Sequence, residues 1–298
     1  MTVRVKIRER LHDQEVTDVI ALVGAAAEAD SAQPLNEHVM LRLRHGGDPG
    51  SRALLAYDGD ALAGFAHLDP PDPDDGTAGE LVVHPAHRRR GAGRLLLESA
   101  LAESGGRLRL WAHGDHPGAV RLAAATGFTR VRSLWRMRRP LAAPLPPVVL
   151  PDGVRLRAFE PGADEDAWLA VNARAFAHHP EQGAWTADDL LVREREPWFD
   201  PAGFILAVRD DRLSGFHWTK VHDEEAEPIG EVYVVGVDPS EQGGGLGRAL
   251  TIAGLEHLRS RGLAQVILYV DEDNPSAVRL YERLGFTRFA VDVMYRHP

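Results

Sequence analysis

The chain has 298 residues, 44% of them apolar and 26% charged, with a formal net charge of -10, an ordinary globular composition. The acidic balance, with no Lys/Arg-rich tail, argues against a nucleic-acid partner, because phosphate binding leaves a basic footprint. The absence of cysteine removes disulfide frameworks, thiolate metal sites and acyl-cysteine chemistry, and fits a reducing, cytoplasmic setting.

Residues 1–13 alternate Val or Ile with Arg, Lys and Glu, unlike a signal peptide. No apolar run approaches the ~20 residues of a membrane helix, so a soluble chain with no membrane partner is expected. After an opening strand at Val3–Arg8, the apolar residues Val16, Val19, Ile20 and Val23 recur at helical spacing. A hairpin follows from Leu55 to Phe65, then a Pro/Asp-rich loop over residues 69–79 and an apolar strand at Leu81, Val82 and Val83. Next come a glycine-rich turn, an amphipathic helix, a strand at Leu108–Ala112, another helix, and a last strand after Gly127-Phe128.

Pro140, Pro144, Pro146, Pro147 and Pro151 then favour a semi-rigid, polyproline-like spacer. Beyond it the order recurs. Leu55-Ala56-Tyr57-Asp58 is matched by Leu206-Ala207-Val208-Arg209 at an offset of 151, Val83-His84-Pro85 by Val237-Asp238-Pro239 at 154, and Gly127-Phe128 by Gly285-Phe286 at 158. Three blocks in one order, with a slowly drifting offset, indicate two copies of one domain. The expected division is a first domain over residues 1–139, a linker over 140–153 and a second domain over 154–298. Each copy is expected to be α/β (α+β), a mixed sheet with helices on both faces.

Gln242-Gly243-Gly244-Gly245-Leu246-Gly247-Arg248 lies between a predicted strand and a predicted helix. Glycines there let several backbone N–H groups point at one phosphate, with the helix dipole assisting. Arg94 and Arg248 could add charge-assisted contacts. A P-loop requires a Lys after its last glycine, and neither copy has one. A dinucleotide fingerprint finds Leu250 where its third glycine belongs, and five residues separate the strand from the glycines.

The turn satisfies, as does Arg88-Arg89-Arg90-Gly91-Ala92-Gly93, the acyl-CoA pattern of the GNAT family of N-acetyltransferases. Asn274-Pro275-Ser276-Ala277-Val278-Arg279-Leu280-Tyr281, running on to Gly285-Phe286, resembles the other signature of that family. The resemblance covers nearly the whole chain. It implies two tandem GNAT domains, each a splayed mixed sheet flanked by helices, with the pantetheine arm of acetyl-CoA along Val235, Gly236 and Val237. The implied cofactor residues are Leu81, Val82, Val83, Arg89, Arg90, Gly91, Ala92, Gly93 and Arg94 in the first copy. In the second they are Val235, Gly236, Val237, Gln242, Gly243, Gly244, Gly245, Leu246, Gly247, Arg248, Asn274, Pro275, Ser276, Ala277, Val278 and Arg279. No metal is implied.

Acetyl transfer needs a neutral amine, a polarised thioester carbonyl and a proton for the departing thiolate. An α-amino group of pKa 7.7–8.0 is about a tenth neutral at pH 7, so a weak base suffices. Tyr281 occupies the position the family uses for the acid; the aligned residue of the first copy is Ala123. Glu231 is the candidate base; its aligned counterpart is Thr77, and Glu80, three residues out of register, is expected to face the other way. The second copy is therefore expected to be catalytic, and the first to bind acetyl-CoA without turning it over.

Residues 175–183 and 215–222, which include His178, His179 and Lys220, resemble the branch of the family that completes mycothiol. Its members acetylate the cysteinyl amine of a cysteine-glucosamine-inositol conjugate. Carried to matching positions, its substrate residues are Glu37, Glu181, Lys220, Glu231 and Tyr269. Only two of the 34 basic residues are lysines, which singles out Lys220. A small-molecule amine substrate and a monomer are expected. An acetyltransferase for a protein N-terminus or an aminoglycoside, and a non-enzymatic acyl-CoA sensor, remain open at this stage.

Overall fold

The structure is a computed structural model that describes residues 3–46, 49–223 and 227–298, with the side chains of Pro180 and Glu181 outside the description. The chain forms two compact units, residues 1–135 with 271–273 and 290–298, and residues 136–270 with 274–289.

In the first unit β1 (Val3–Arg8) leads to α1 (Asp13–Asp30) and α2 (Glu37–His45). β2 (Arg52–Asp58), β3 (Ala61–Leu68) and β4 (Thr77–Val83) form an antiparallel meander with β1 at its edge. α3 (Ala92–Glu103) crosses to β5 (Leu108–Ala112), which is parallel to β4, and α4 (Pro117–Ala125) follows. Strand alternation gives the sheet two apolar faces. Leu54, Ala56, Ala66 and Leu68 pack under Leu96, Leu97 and Ala100 of α3, whereas Leu55, Phe65 and Val82 pack under Val19, Leu22 and Val23 of α1. The chain then enters β6 (Thr129–Pro140), which starts in this unit and ends in the next.

The second unit repeats the plan. β7 (Val154–Ala158) is followed by α5 (Glu165–Ala175), α6 (Pro180–Gly183) and α7 (Ala187–Glu194), then by β8 (Phe204–Arg209), β9 (Arg212–His222) and β10 (Ile229–Val237). α8 (Leu246–Ser260) crosses to β11 (Gln265–Asp271), parallel to β10, and α9 (Pro275–Arg283) and β12 (Thr287–Arg296) close the chain. Its α5-side core is aromatic: Trp168 is fully buried, and Phe204 stacks on Trp218 with centroids 4.3 Å apart.

The units differ from a cut at the proline-rich segment. β5 takes β12 as its neighbour, pairing Val293 with Ala112, whereas the neighbour of β11 is β6. Residues 290–298 therefore belong to the first unit. Both final strands follow a Gly-Phe pair and offer the same pattern to a parallel edge, so strand pairing decides which edge each one covers.

Candidate active site

β10 holds the site together. Its pairing with β11 covers Gly230, Glu231 and Val232, while its pairing with β9 runs on to Val237 after a register shift between Val232 and Val234. That shift is a bulge at Tyr233. Beyond it Val235, Gly236 and Val237 have β9 on one side and no β11 partner in the register, the splay expected of a strand that receives an extended ligand.

Where β10 ends, Asp238 accepts from the backbone N–H and hydroxyl of Ser240 at 3.0 and 2.7 Å and binds Arg174 at 2.7 Å. Burial opposes its charge, but the Ser240 and Arg174 hydrogen bonds prevail and hold its pKa down to about 2. This anchors the entry to the glycine-rich turn. Gly243 and Gly245 have φ of 87° and 85°, a left-handed backbone that only glycine adopts without strain, and a Cβ at either would meet nothing within 4 Å. Gly245 caps α8 without a side chain, and the first backbone bond to close is Ala249 to Gly245 at 3.0 Å. The amides of Leu246, Gly247 and Arg248 thus lack intrahelical partners, and the turn before them leaves open space at Gly243 and Gly245. Gly247 lets the helix sit against Val237, whose Cγ2 would lie 3.5 Å from a Cβ there. A diphosphate fits this cradle in charge and in room. Asn274 caps α9, its Oδ1 accepting from Ala277 N–H at 3.1 Å, and Pro275 and Ser276 lie exposed in the first turn while Val278 is buried.

The first unit repeats the cradle. Arg89 and Gly91 have φ of 64° and 93°, Gly91 caps α3 without a side chain, and a Cβ at Gly93 would lie 3.3 Å from Val83 Cγ2. Pairing of β4 with β5 stops at Glu80, leaving Leu81, Val82 and Val83 splayed. Arg90 lies 3.6 Å from Asp58, and Arg94 bonds Glu98 at 3.0 Å.

The reactive residues divide as follows. Glu231 and Lys220 are partners in the β9–β10 register, which puts both side chains on one face, and both are buried. The Lys220 ammonium lies 4.6 Å from the Trp198 ring centroid and 5.5 Å from that of Tyr233. Tyr233 accepts from Arg193 Nε at 2.8 Å, and that guanidinium stacks 3.9 Å over Trp185. Glu231 Oε2 lies 2.5 Å from His222 Nε2. Tyr281, on α9, meets Phe286 edge to face at 5.8 Å, and desolvation raises its hydroxyl pKa to about 12. Tyr269 is 40% exposed beneath the Arg136 guanidinium. Glu37 opens α2 in the first unit, and the side chain of Glu181 lies outside the described residues.

Strand register corrects two of the sequence readings. Ala78 pairs toward β5 as Glu231 pairs toward β11, so the counterpart of Glu231 is Ala78 rather than Thr77; the bulge at Tyr233 adds the residue that upset the alignment. Glu80 is two residues on from Ala78 in an unbroken strand and so shares its face instead of pointing away. Its carboxylate is 99% buried, binds His113 Nε2 at 2.9 Å and accepts from Asn36 N–H at 2.7 Å. Across the ring, His113 Nδ1 lies 3.1 Å from Asp292. Desolvation works against charging His113, but the two carboxylates overcome it and lift its pKa to about 10. Glu80 is committed to a cation of the protein's own. The aligned Ala123 is buried in the α3-side core, so no phenol stands there.

The sequence reading missed His222, Trp198, Tyr233 and Arg193. His222 could have been found, because it follows Lys220 by two positions in a strand; the others depend on packing. Among the described residues no helix is long and apolar enough to cross a membrane, and no group of three or more His, Asp or Glu could hold a metal.

The chain is similar to known proteins over nearly its whole length. The model of the acetyltransferase (GNAT) family matches residues 21–128 and again 168–286. A protein of Thermobispora bispora named mycothiol acetyltransferase is 67% identical, covering 99% of this chain and 100% of its own length. One of that name from Streptosporangium roseum is 60% identical, covering 99% and 100%. Among solved structures, a GCN5-related N-acetyltransferase from Sphaerobacter thermophilus superposes with a TM-score of 0.72 at 25% identity over 99% of this chain and 96% of that one. A tandem GNAT protein of the clavulanic acid pathway, at 23% identity, gives 0.74 over 98% of both and attests to the fold.

Proposed function

The chain belongs to the acetyltransferase (GNAT) family, and from that membership we propose that it carries acetyl from acetyl-CoA directly to the cysteinyl amine of a cysteine-glucosamine-inositol conjugate, completing mycothiol. Mycothiol acetyltransferase is the name that the Thermobispora bispora and Streptosporangium roseum relatives carry. In this reading the second unit, residues 154–298 in the sequence division, is the catalytic one and acts in a cytoplasmic monomer. One observation carries it: a single strand, β10, supports the Glu231–Lys220 pair at one end and the uncapped glycine turn at the other.

Acetyl-CoA supplies the activated thioester. The amides of Leu246, Gly247 and Arg248 would hold its diphosphate, and the splayed edge at Val235, Gly236 and Val237 its pantetheine arm. Glu231 attracts the substrate ammonium and takes one proton from it, leaving the neutral amine that attacks the carbonyl. Lys220 and Trp198 offer a donor and an aromatic face to the sugar and inositol rings, and Tyr269 extends the polar contacts. Tyr281 lies close to the limit of what an acid can do here. With its pKa at about 12, full proton transfer to a thiolate of pKa about 8.5 is uphill by roughly 5 kcal/mol. Complete transfer is not required, because a hydrogen bond from the phenol to the departing sulfur already stabilises it.

The test is CoA release with the cysteinyl conjugate against its des-amino analogue. Release that requires the amine, falls by roughly 100-fold or more in Tyr281→Phe and Glu231→Gln, and exceeds release with protein N-terminal peptides or aminoglycosides is the expected result. Equal release with the des-amino analogue would overturn the reading.

A further inference from the structure

We propose that His222 is the proton outlet of this site, a positioning residue that relieves Glu231 of the proton it takes from the acceptor and passes it to water. The inference rests on Glu231 acting as base in the reaction above.

The need follows from atom balance. An ammonium R–NH3+ brings three protons; the amide product keeps one, CoA leaves as a thiol with one, and the third must reach solvent at every turnover. Glu231 is only 6% exposed, so its carboxylic acid form has poor access to water. Its Oε2 lies 2.5 Å from His222 Nε2, and the His222 side chain keeps 34% of its surface open against 8% for Glu231. The pair therefore runs from the buried acceptor of the proton to the solvent.

The path is set by the sheet. His222 stands two residues beyond Lys220 on β9, on the face that carries Glu231. Among the described residues of β9 and β10, the other charged group on that face is the Lys220 ammonium, which sits over Trp198 and Tyr233 and has no lone pair to accept with. On β11, Ile267 pairs with Glu231 and does not titrate. His217 lies on the opposite face, its Nδ1 donating to the Leu250 carbonyl at 2.8 Å, and Asp223 is exposed beyond the strand end.

The transfer balances. With the ring neutral and its proton on Nδ1, Glu231–COOH gives its proton to Nε2, restoring the carboxylate and forming an imidazolium. Water removes the Nδ1 proton, and exchange with solvent resets the tautomer.

Two variants test this. His222→Gln keeps a hydrogen bond but cannot titrate; His222→Ala opens room for a free imidazole. Expected are a kcat lower by about 10- to 100-fold in both, an unchanged KM for acetyl-CoA, and recovery of His222→Ala as imidazole is added, following the pKa of substituted imidazoles. Wild-type turnover of His222→Gln across pH 6–9, or a loss that no imidazole repairs, would overturn the proposal. Glu231→Gln separates the two claims. If it is inactive while His222→Gln is not, the outlet fails alone; if it is fully active, the reading of the base fails and the outlet with it.

Discussion

Gly254, in the middle of α8, is where a single atom decides the packing. A Cβ there would lie 2.0 Å from His217 Cε1, and His217 has no exposed surface with which to yield. Burial lowers the His217 pKa to about 4, so the ring packs as a neutral group, held by one bond to the Leu250 carbonyl and with Nε2 unpartnered. Overpacking of this kind costs about 1–3 kcal/mol, or more where nothing can move. Gly24 in α1 is the control: exposed, with nothing within 4 Å of an added Cβ. Thermal denaturation of Gly254→Ala should show a lowered midpoint, and Gly24→Ala a midpoint raised by the equivalent of about 0.5–1 kcal/mol, since alanine loses less entropy in a helix. A tolerated Gly254→Ala would mean that His217 can leave its pocket.

Elements are joined in the first unit by His113, through Glu80 to β4 and the start of α2 and through Asp292 to β12. Its pKa of about 10 in the fold, against 6.5 when free, fixes the sign of a pH effect. The stability it contributes is complete below about pH 6.5 and is lost as pH rises through about 10. Urea midpoints of wild type and His113→Gln should differ at pH 6.5 and converge toward pH 11; a constant difference would mean that the imidazolium contributes nothing. This clamp was not legible from sequence, because a strand offset taken across a bulge puts Glu80 on the wrong face, and bulges have no signature in a single chain. The two glycine turns and the Asn274 cap were legible, since backbone conformation and capping demand particular residues at particular spacings. Residues chosen by packing, such as Trp198 over Lys220, carry no such demand. The exchange of the final strands was also hidden, since β6 and β12 follow the same Gly-Phe pair.

At the scale of the whole chain, the two copies have kept different parts of one machine. Both keep a glycine-capped helix and a splayed strand edge, which are properties of the backbone and survive change in the side chains around them. Only the second keeps Tyr281 and a carboxylate at the Glu231 position, paired with the partly exposed His222, whereas the first has Ala123 and Ala78 there and commits Glu80 to the His113–Asp292 cluster. Binding and turnover should therefore separate. Calorimetry of the wild type should count two acetyl-CoA per chain. Gly91→Val and Gly245→Val each place a branched side chain at a left-handed residue, where φ is 93° and 85°, and each should reduce the count to one. Their effects on catalysis should differ, with Gly245→Val losing turnover and Gly91→Val retaining at least roughly tenfold more of it, because the losses of k and of binding fall on different copies. Equal losses would place chemistry in both copies or make the first cradle necessary to the second, and a wild-type count of one would mean that a conserved backbone shape had outlived its ligand.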